Sequence, residues 1–148
     1  MIYLAADHRG FKVKEELKKY LRNLGYNFED LGNKIFDPAD DYTDFAERVA
    51  KKVSREQENK GILICGSGIG MTIVANKFKK IRAALCFNEK MAQRARSHND
   101  ANILCLPADF LPLAKIKKIV KIWLETKFSN EENHKRRIEK IKRHERKN

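Results

Sequence analysis

The stretch from Gly61 to Lys77, Gly-Ile-Leu-Ile-Cys-Gly-Ser-Gly-Ile-Gly-Met-Thr-Ile-Val-Ala-Asn-Lys, constrains what this chain can fold into more than any other. Ile62, Leu63 and Ile64 form an apolar run without polar alternation, which suits a strand covered on both faces. Gly66, Gly68 and Gly70 follow Cys65 at alternate positions, and Met71 to Lys77 returns to helix-compatible residues. A strand that passes through a glycine-rich turn into a helix offers backbone N–H groups and a positive helix end to an anion. Cys65, at the end of that strand, is expected to face the helix end and so to be more acidic than an ordinary thiol. A thiolate beside an anion cradle can take a proton from carbon and hold the oxyanion that results. The competing reading makes Cys65 a small, inert core residue and the glycines a tight turn.

Two other glycine motifs fit less well. A phosphate-binding P-loop ends in Gly-Lys-Ser/Thr, whereas this loop ends Gly70-Met71-Thr72. A dinucleotide fingerprint would need its third glycine at Met71, although Glu89 does stand near the acidic position such a motif expects.

With 148 residues the chain is read as one domain, 1–148, with a core large enough to need no staples. Three cysteines without Cys-x-x-Cys spacing speak against a disulfide framework or a zinc ribbon and for a reducing, cytoplasmic setting, with Cys86 and Cys105 read as core. No apolar stretch reaches membrane-spanning length, and Met1 leads into Ile-Tyr-Leu-Ala-Ala without a targeting pattern. A net charge of +12 raises the question of nucleic acid. The lysines punctuate every helix and no RNA-binding strand or helix-turn-helix signature accompanies them, which favours solvated helix faces.

In chain order, Met1 to Ala6 reads as a buried strand that stops at Asp7-His8-Arg9-Gly10. Phe11 to Leu24 has helical spacing and Gly25 stands at its C′ position. Tyr26 to Leu31 alternates like a strand nearer the sheet edge, and Gly32 to Asp41 is a polar loop whose Asp37, Asp40 and Asp41 are loop chemistry ahead of a metal site. Asp41 or Thr43 is expected to cap a helix with Phe45, Val49 and Val53 on one face, reaching about Gln57. Ile81 to Phe87 reads as a strand, Glu89 to Ser97 as a helix, Ala101 to Leu106 as a strand, and Pro112 starts a helix carrying Leu113, Ile116, Val120, Trp123 and Leu124.

His98 lies in the polar run Ser97-His98-Asn99-Asp100 at an element boundary, where function is commoner than for a histidine elsewhere. Residues 129–148 form a C-terminal arm with eight Lys or Arg residues from Asn130 onward and only Ile138 and Ile141 as an apolar stripe. So narrow a stripe is expected to lie against something, a second subunit being the leading candidate and a frayed tail the other. Five alternations of strand and helix imply a parallel sheet with helices on both faces, and ligands that bind beyond the carboxyl ends of its strands.

Asp7-His8-x-Gly10-Phe11, Asp41-Tyr42, Ile64-Cys65-Gly66-Ser67-Gly68-Ile69-Gly70, Ala75-Asn76-Lys77, Ile81-Arg82-Ala83 and His98-Asn99-Asp100-Ala101-Asn102, in that order, resemble the B-type ribose-5-phosphate isomerases over essentially the whole chain. The resemblance implies a Rossmann-like three-layer α/β/α fold with a five-stranded parallel sheet, in a homodimer or dimer of dimers with shared sites. It implies cofactor-free and metal-free interconversion of ribose 5-phosphate and ribulose 5-phosphate through a cis-enediolate. Relatives acting on allose 6-phosphate or galactose 6-phosphate keep a hexose phosphate open as substrate. A nucleotide- or RNA-binding protein without catalysis remains the alternative from another class.

By the same resemblance, Cys65 is the base at C1 and C2, Ser67 assists proton transfer between the oxygens, and the amides of Gly66, Ser67, Gly68, Ile69 and Gly70 hold the enediolate. His98 opens the furanose ring with help from Asp7, and His8, Asn99 and Arg137 contact substrate or phosphate, some of them from a partner subunit. A branch of the family uses a glutamate after the last glycine, but that position here is Met71. Two departures concern the phosphate. The usual Gly-x-Arg after the last strand is Pro107-Ala108-Asp109, and the usual Arg-His-x-x-Arg is Asn133-His134-Lys135-Arg136-Arg137, leaving Arg9, Lys135 and Arg136 as candidate replacements.

Overall fold

In the computed structural model, which describes residues 1–148, the apolar runs and amphipathic stretches become five strands and six helices. They follow as β1 (Ile2–Ala6), α1 (Phe11–Asn23), β2 (Phe28–Asp30), α2 (Tyr42–Val53), β3 (Lys60–Cys65), α3 (Ile69–Ala75), β4 (Ala83–Leu85), α4 (Glu89–Ser97), β5 (Ile103–Pro107), α5 (Leu113–Glu125) and α6 (Glu132–Lys147). Every strand pair is parallel, and the sheet order is β2-β1-β3-β5-β4. The expected three-layer α/β/α arrangement is the one the chain adopts.

Successive strand residues point to opposite faces, so each strand feeds two cores. Leu4, Ala6, Ile62, Ile64, Leu104 and Leu106 pack against α1, α4 and α5, with Leu17, Leu21, Ile119 and Trp123 filling that layer. Ala5, Leu63, Cys65, Ile103 and Cys105 pack on the other side, against Phe45 and Val49 of α2 and Met71 and Ala75 of α3. Covering both faces is why the central strands read as unbroken apolar runs. Each fully buried aliphatic side chain there contributes about 2 kcal/mol by removal from water.

Several boundaries differ from those expected, each for a local reason. Tyr26 does not begin β2, because its N–H closes α1 on the Leu21 carbonyl while that of Gly25 bonds Arg22, the paired pattern of a Schellman end. β4 shrinks from the expected Ile81–Phe87 to three residues. On its open side the Asn76 amide takes the place of a neighbouring strand, accepting from the Ala83 N–H at 2.9 Å and donating to the Ala83 carbonyl at 3.0 Å. α2 stops at Val53 rather than Gln57, and its N-cap Asp41 makes no side-chain cap hydrogen bond. α3 begins two residues before Met71, at Ile69, and β5 extends to Pro107.

The strand order places the site. From β1 the chain moves outward to β2 and then returns to the other side of β1 to lay down β3. The loop after β1 leads to α1 on one face, and the loop after β3 leads to α3 on the other, so a crevice opens between the carboxyl ends of β1 and β3. Asp7–Gly10 and Gly66–Gly68 line it.

Candidate active site

The turn after β3 is built around its glycines. Gly68 has φ +73°, and a side chain there would also meet Leu85 Cδ1 at 2.5 Å, so only glycine fits. Gly70 lies under the Tyr42 ring, whose Cε2 would be 2.5 Å from an added Cβ. This close turn folds the loop amides back over Cys65, whose Sγ accepts from the Gly68 N–H at 3.1 Å. Cys65 is 4% exposed. Burial pushes its thiol up from the ordinary value; the amides of Gly68, Met71 and Ser67 pull it down and nearby Asp7 pushes it further up, with a net rise. The expectation of a more acidic thiol is therefore reversed in the free protein: the helix end and amides are present, but burial outweighs them.

A pH profile reads this out. Iodoacetamide should alkylate Cys65 with an inflection above the ordinary thiol pKa. Cys86 and Cys105, pushed up to about 12 by burial, stay silent. An inflection near neutrality would contradict the burial argument.

Asp7 extends from the end of β1 beside this sulfur. Its Oδ1 accepts from the Arg9 and Gly10 N–H groups at 3.0 and 3.1 Å. Burial still raises its pKa above the usual carboxylate value, the two amides and His8 opposing and Asp40 adding. His8 is held by Asp40, whose Oδ1 contacts both the His8 backbone N at 2.9 Å and Nδ1 at 2.8 Å. That bond raises the imidazole pKa and fixes Nδ1, leaving Nε2 free for a ligand. Asn33 donates to the second Asp40 oxygen at 3.0 Å, and the Asn33 carbonyl in turn accepts from Lys14 at 2.5 Å. Asp40 and Tyr42 are the residues sequence reasoning left out of the site. Asp40 reads as loop chemistry and its contact with His8 has no local sequence signal, whereas Tyr42 stands in the Asp41-Tyr42 pair that shares in the family resemblance, with no role assigned to it there.

Ser67 sits on the exposed side of the turn, its Oγ accepting from the Ile69 N–H at 3.2 Å. Arg9 and Asp109, from the ends of β1 and β5, form an ion pair of 2.5 Å over Gly66. Among the candidate replacements for the missing cation, Arg9 is thus at the turn, whereas Lys135 and Arg136 are exposed on α6.

The structure does not bring His98, Asn99 and Arg137 to this crevice. His98 caps the C-terminus of α4, which runs from the carboxyl end of β4 back to the amino edge of the sheet, where Asn102 accepts from Gly61 at the start of β3. There His98 stacks on His134 of α6, with ring centroids 4.4 Å apart, and His134 bonds Ser129 Oγ at 2.6 Å. The arm thus docks on its own chain through His134 and Ile138, while Arg137 on its outer side is exposed. Two cavities of about 720 and 840 Å³ lie between α6 and this amino edge; Asn99 lines the first, and Cys65 lines neither. No three His, Cys, Asp or Glu side chains are grouped to hold a metal, and no helix is long and apolar enough to cross a membrane.

The chain that sets Asp7, His8, Cys65 and Ser67 around this crevice is similar to known proteins. The family model described as Ribose/Galactose Isomerase matches residues 2–141. The chain belongs to the ribose/galactose isomerase family. Among its relatives, a Mycoplasma genitalium protein named "Probable ribose-5-phosphate isomerase B" is 43% identical over 97% of this chain and 95% of its own. The Escherichia coli ribose-5-phosphate isomerase B is 37% identical over 95% of this chain and 93% of its own. A crystal structure of the Mycoplasma genitalium isomerase with bound ribulose-5-phosphate superposes with a TM-score of 0.96, covering 99% of this chain and 97% of that one. The likeness to ribose/galactose isomerases thus spans both sheet edges, including the amino edge that carries His98.

Proposed function

We propose that this protein interconverts ribose 5-phosphate and ribulose 5-phosphate, with Cys65 as the base. The observation that carries the reading is a single cysteine under the amides of Ser67, Gly68 and Met71, beside a buried carboxylate, at the crevice between β1 and β3. A furanose ring must open first. The raised pKa of Asp7 suits it to give a proton to the ring oxygen while a histidine, His98, takes the proton of the anomeric hydroxyl. The Cys65 thiolate then removes the proton from C2 of the open aldose. The C–H electron pair becomes the C1–C2 double bond, and the carbonyl oxygen gains negative charge in the cis-enediolate. Loop amides from Gly66 to Gly70 stabilise that oxygen. Ser67 moves a proton between O1 and O2, and the Cys65 thiol returns its proton to C1, which leaves the ketose. No redox partner is needed, since the oxidation of C2 balances the reduction of C1.

This chemistry needs His98, Asn99 and Arg137 beside Cys65, and within one copy they lie at opposite ends of β3, whose six residues span about 20 Å. A second copy that presents its amino edge to the crevice resolves the separation, so the working unit is a homodimer with shared sites, or a dimer of such dimers. Exposed Ile69 and Ile73 on α3 and Phe87 and Met91 at the start of α4 supply apolar surface around the catalytic turn for that contact. Three free cysteines suit a reducing cytoplasm. The test of substrate is a comparison of kcat/KM on ribose 5-phosphate, allose 6-phosphate and galactose 6-phosphate. The pentose should be preferred, and a hexose preference would overturn the assignment while leaving the proton transfer in place.

A further inference from the structure

The Arg9–Asp109 pair is placed as no other ion pair in the chain is. Arg9 extends from the loop after β1 and Asp109 from the loop after β5, so they reach over the end of β3 from both sides. A Cβ placed on Gly66 would lie 2.5 Å from Asp109 Oδ2 and 2.7 Å from Arg9 Cδ, so the pair rests directly on the first glycine of the turn. The Asp109 backbone is tied down there, its N–H donating to the Gly66 carbonyl at 3.0 Å. Arg9 is held only by its tip. Its Nη1 donates to Asp109, and Nη2 and Nε have no protein acceptor. The two side chains are 61% and 40% exposed, so the pair adds little stability and opens at small cost.

We infer that Arg9 is an anion-binding residue for the phosphorylated substrate and that Asp109 is a built-in competitor for it, positioned to set how tightly the site holds phosphate. A guanidinium binds phosphate oxygens through parallel N–H groups, and Arg9 has Nη2 and Nε free to begin that contact before Nη1 leaves Asp109. Asp109 acts through Arg9: it neutralises the cation when the site is empty and must give it up when an anion arrives. Affinity for the substrate and for inorganic phosphate is therefore lower than Arg9 alone would give. The inference rests on the substrate being a sugar phosphate.

The test uses the full-length protein, with kcat and KM for ribose 5-phosphate and the inhibition constant of inorganic phosphate measured together. Arg9→Gln should raise KM and the phosphate constant by about tenfold, the usual worth of one charged hydrogen bond, with kcat changed less than about threefold. Asp109→Asn should lower both constants by about threefold or more in the wild-type background. In the Arg9→Gln background the same substitution should have less than half that effect on a logarithmic scale, because its action passes through Arg9. Unchanged constants in Arg9→Gln, or an Asp109→Asn gain of equal size with and without Arg9, would overturn the inference. A wild-type protein that turns over no sugar phosphate would instead sink the functional reading, which keeps the two failures apart. Both positions are solvent-exposed, so unaltered melting temperatures separate these effects from misfolding.

Discussion

Replacing Cys65 by alanine is expected to lower kcat on ribose 5-phosphate by about a thousandfold or more, with KM changed only a fewfold. The Cys65 sulfur lies under the loop amides and beside Asp7, and Met71 stands where the glutamate-dependent branch of the family has its base. Removing the proposed base therefore leaves the proposed enediolate cradle but no group to move the proton, which lowers kcat rather than binding. Serine at the same position should not restore the rate, because an alcohol holds its proton far too tightly to serve as a base beside a buried carboxylate. The side chain is small and the cavity left by alanine costs about 1 kcal/mol, so both variants should fold and bind substrate. Residual kcat within tenfold of wild type would mean that another group is the base.

The second large effect falls on stability. Lys14 is fully buried in α1, and its ammonium bonds both oxygens of Asp30 at the end of β2, at 3.1 and 2.8 Å; Lys18 adds a third bond at 2.9 Å. Asp30→Asn removes the carboxylate that Lys14 hydrogen-bonds and leaves its buried ammonium with the Asn33 carbonyl and Glu15 at 3.5 Å, which is expected to cost about 3 kcal/mol in urea denaturation at neutral pH. The loss should also reach the site, because Lys14 holds the Asn33 carbonyl and Asn33 holds the Asp40 that fixes His8. The pH dependence has a definite sign. Burial works to raise the Asp30 pKa, but the hydrogen bonds from Lys14, Lys18 and the Gly32 N–H prevail and hold it below 3.8. Its contribution is complete above 3.8 and is lost as the pH falls through the lower, folded-state value, so wild type and variant should converge in acid. A difference under about 1 kcal/mol at neutral pH would show that Lys14 is less enclosed than its burial implies.

Sequence periodicity revealed most of this fold because covered strands and amphipathic helices leave strong local patterns. The apolar runs at Ile62–Ile64 and Ile103–Leu106 read as strands and are strands, and Gly25 marked the end of α1. What stayed hidden depends on contacts between distant residues. The Asn76 side chain covers the open side of the short edge strand β4 at Ala83, and no sequence pattern announces that. At the site, Cys65, Ser67 and Asp7 were legible because each adjoins a strand end, whereas Asp40 acts on His8 from 32 residues away. The acidity of Cys65 was misjudged because sequence displays the glycines but not the depth of burial that opposes them. The separation of His98 from Cys65 follows from the direction in which α4 runs, which only the topology fixes.

In the proposed dimer Cys65 of one copy and His98 of another act on the same sugar phosphate, and mixed subunits put that sharing to the test. Cys65→Ala and His98→Asn proteins, each inactive alone, would be unfolded together, refolded and assayed on ribose 5-phosphate. Random pairing in a symmetric dimer gives half the dimers one site with both residues intact, so about a quarter of the wild-type activity should return. A mixture as inactive as its components, with mixed dimers demonstrated by a size tag on one subunit, would contradict a site shared between copies.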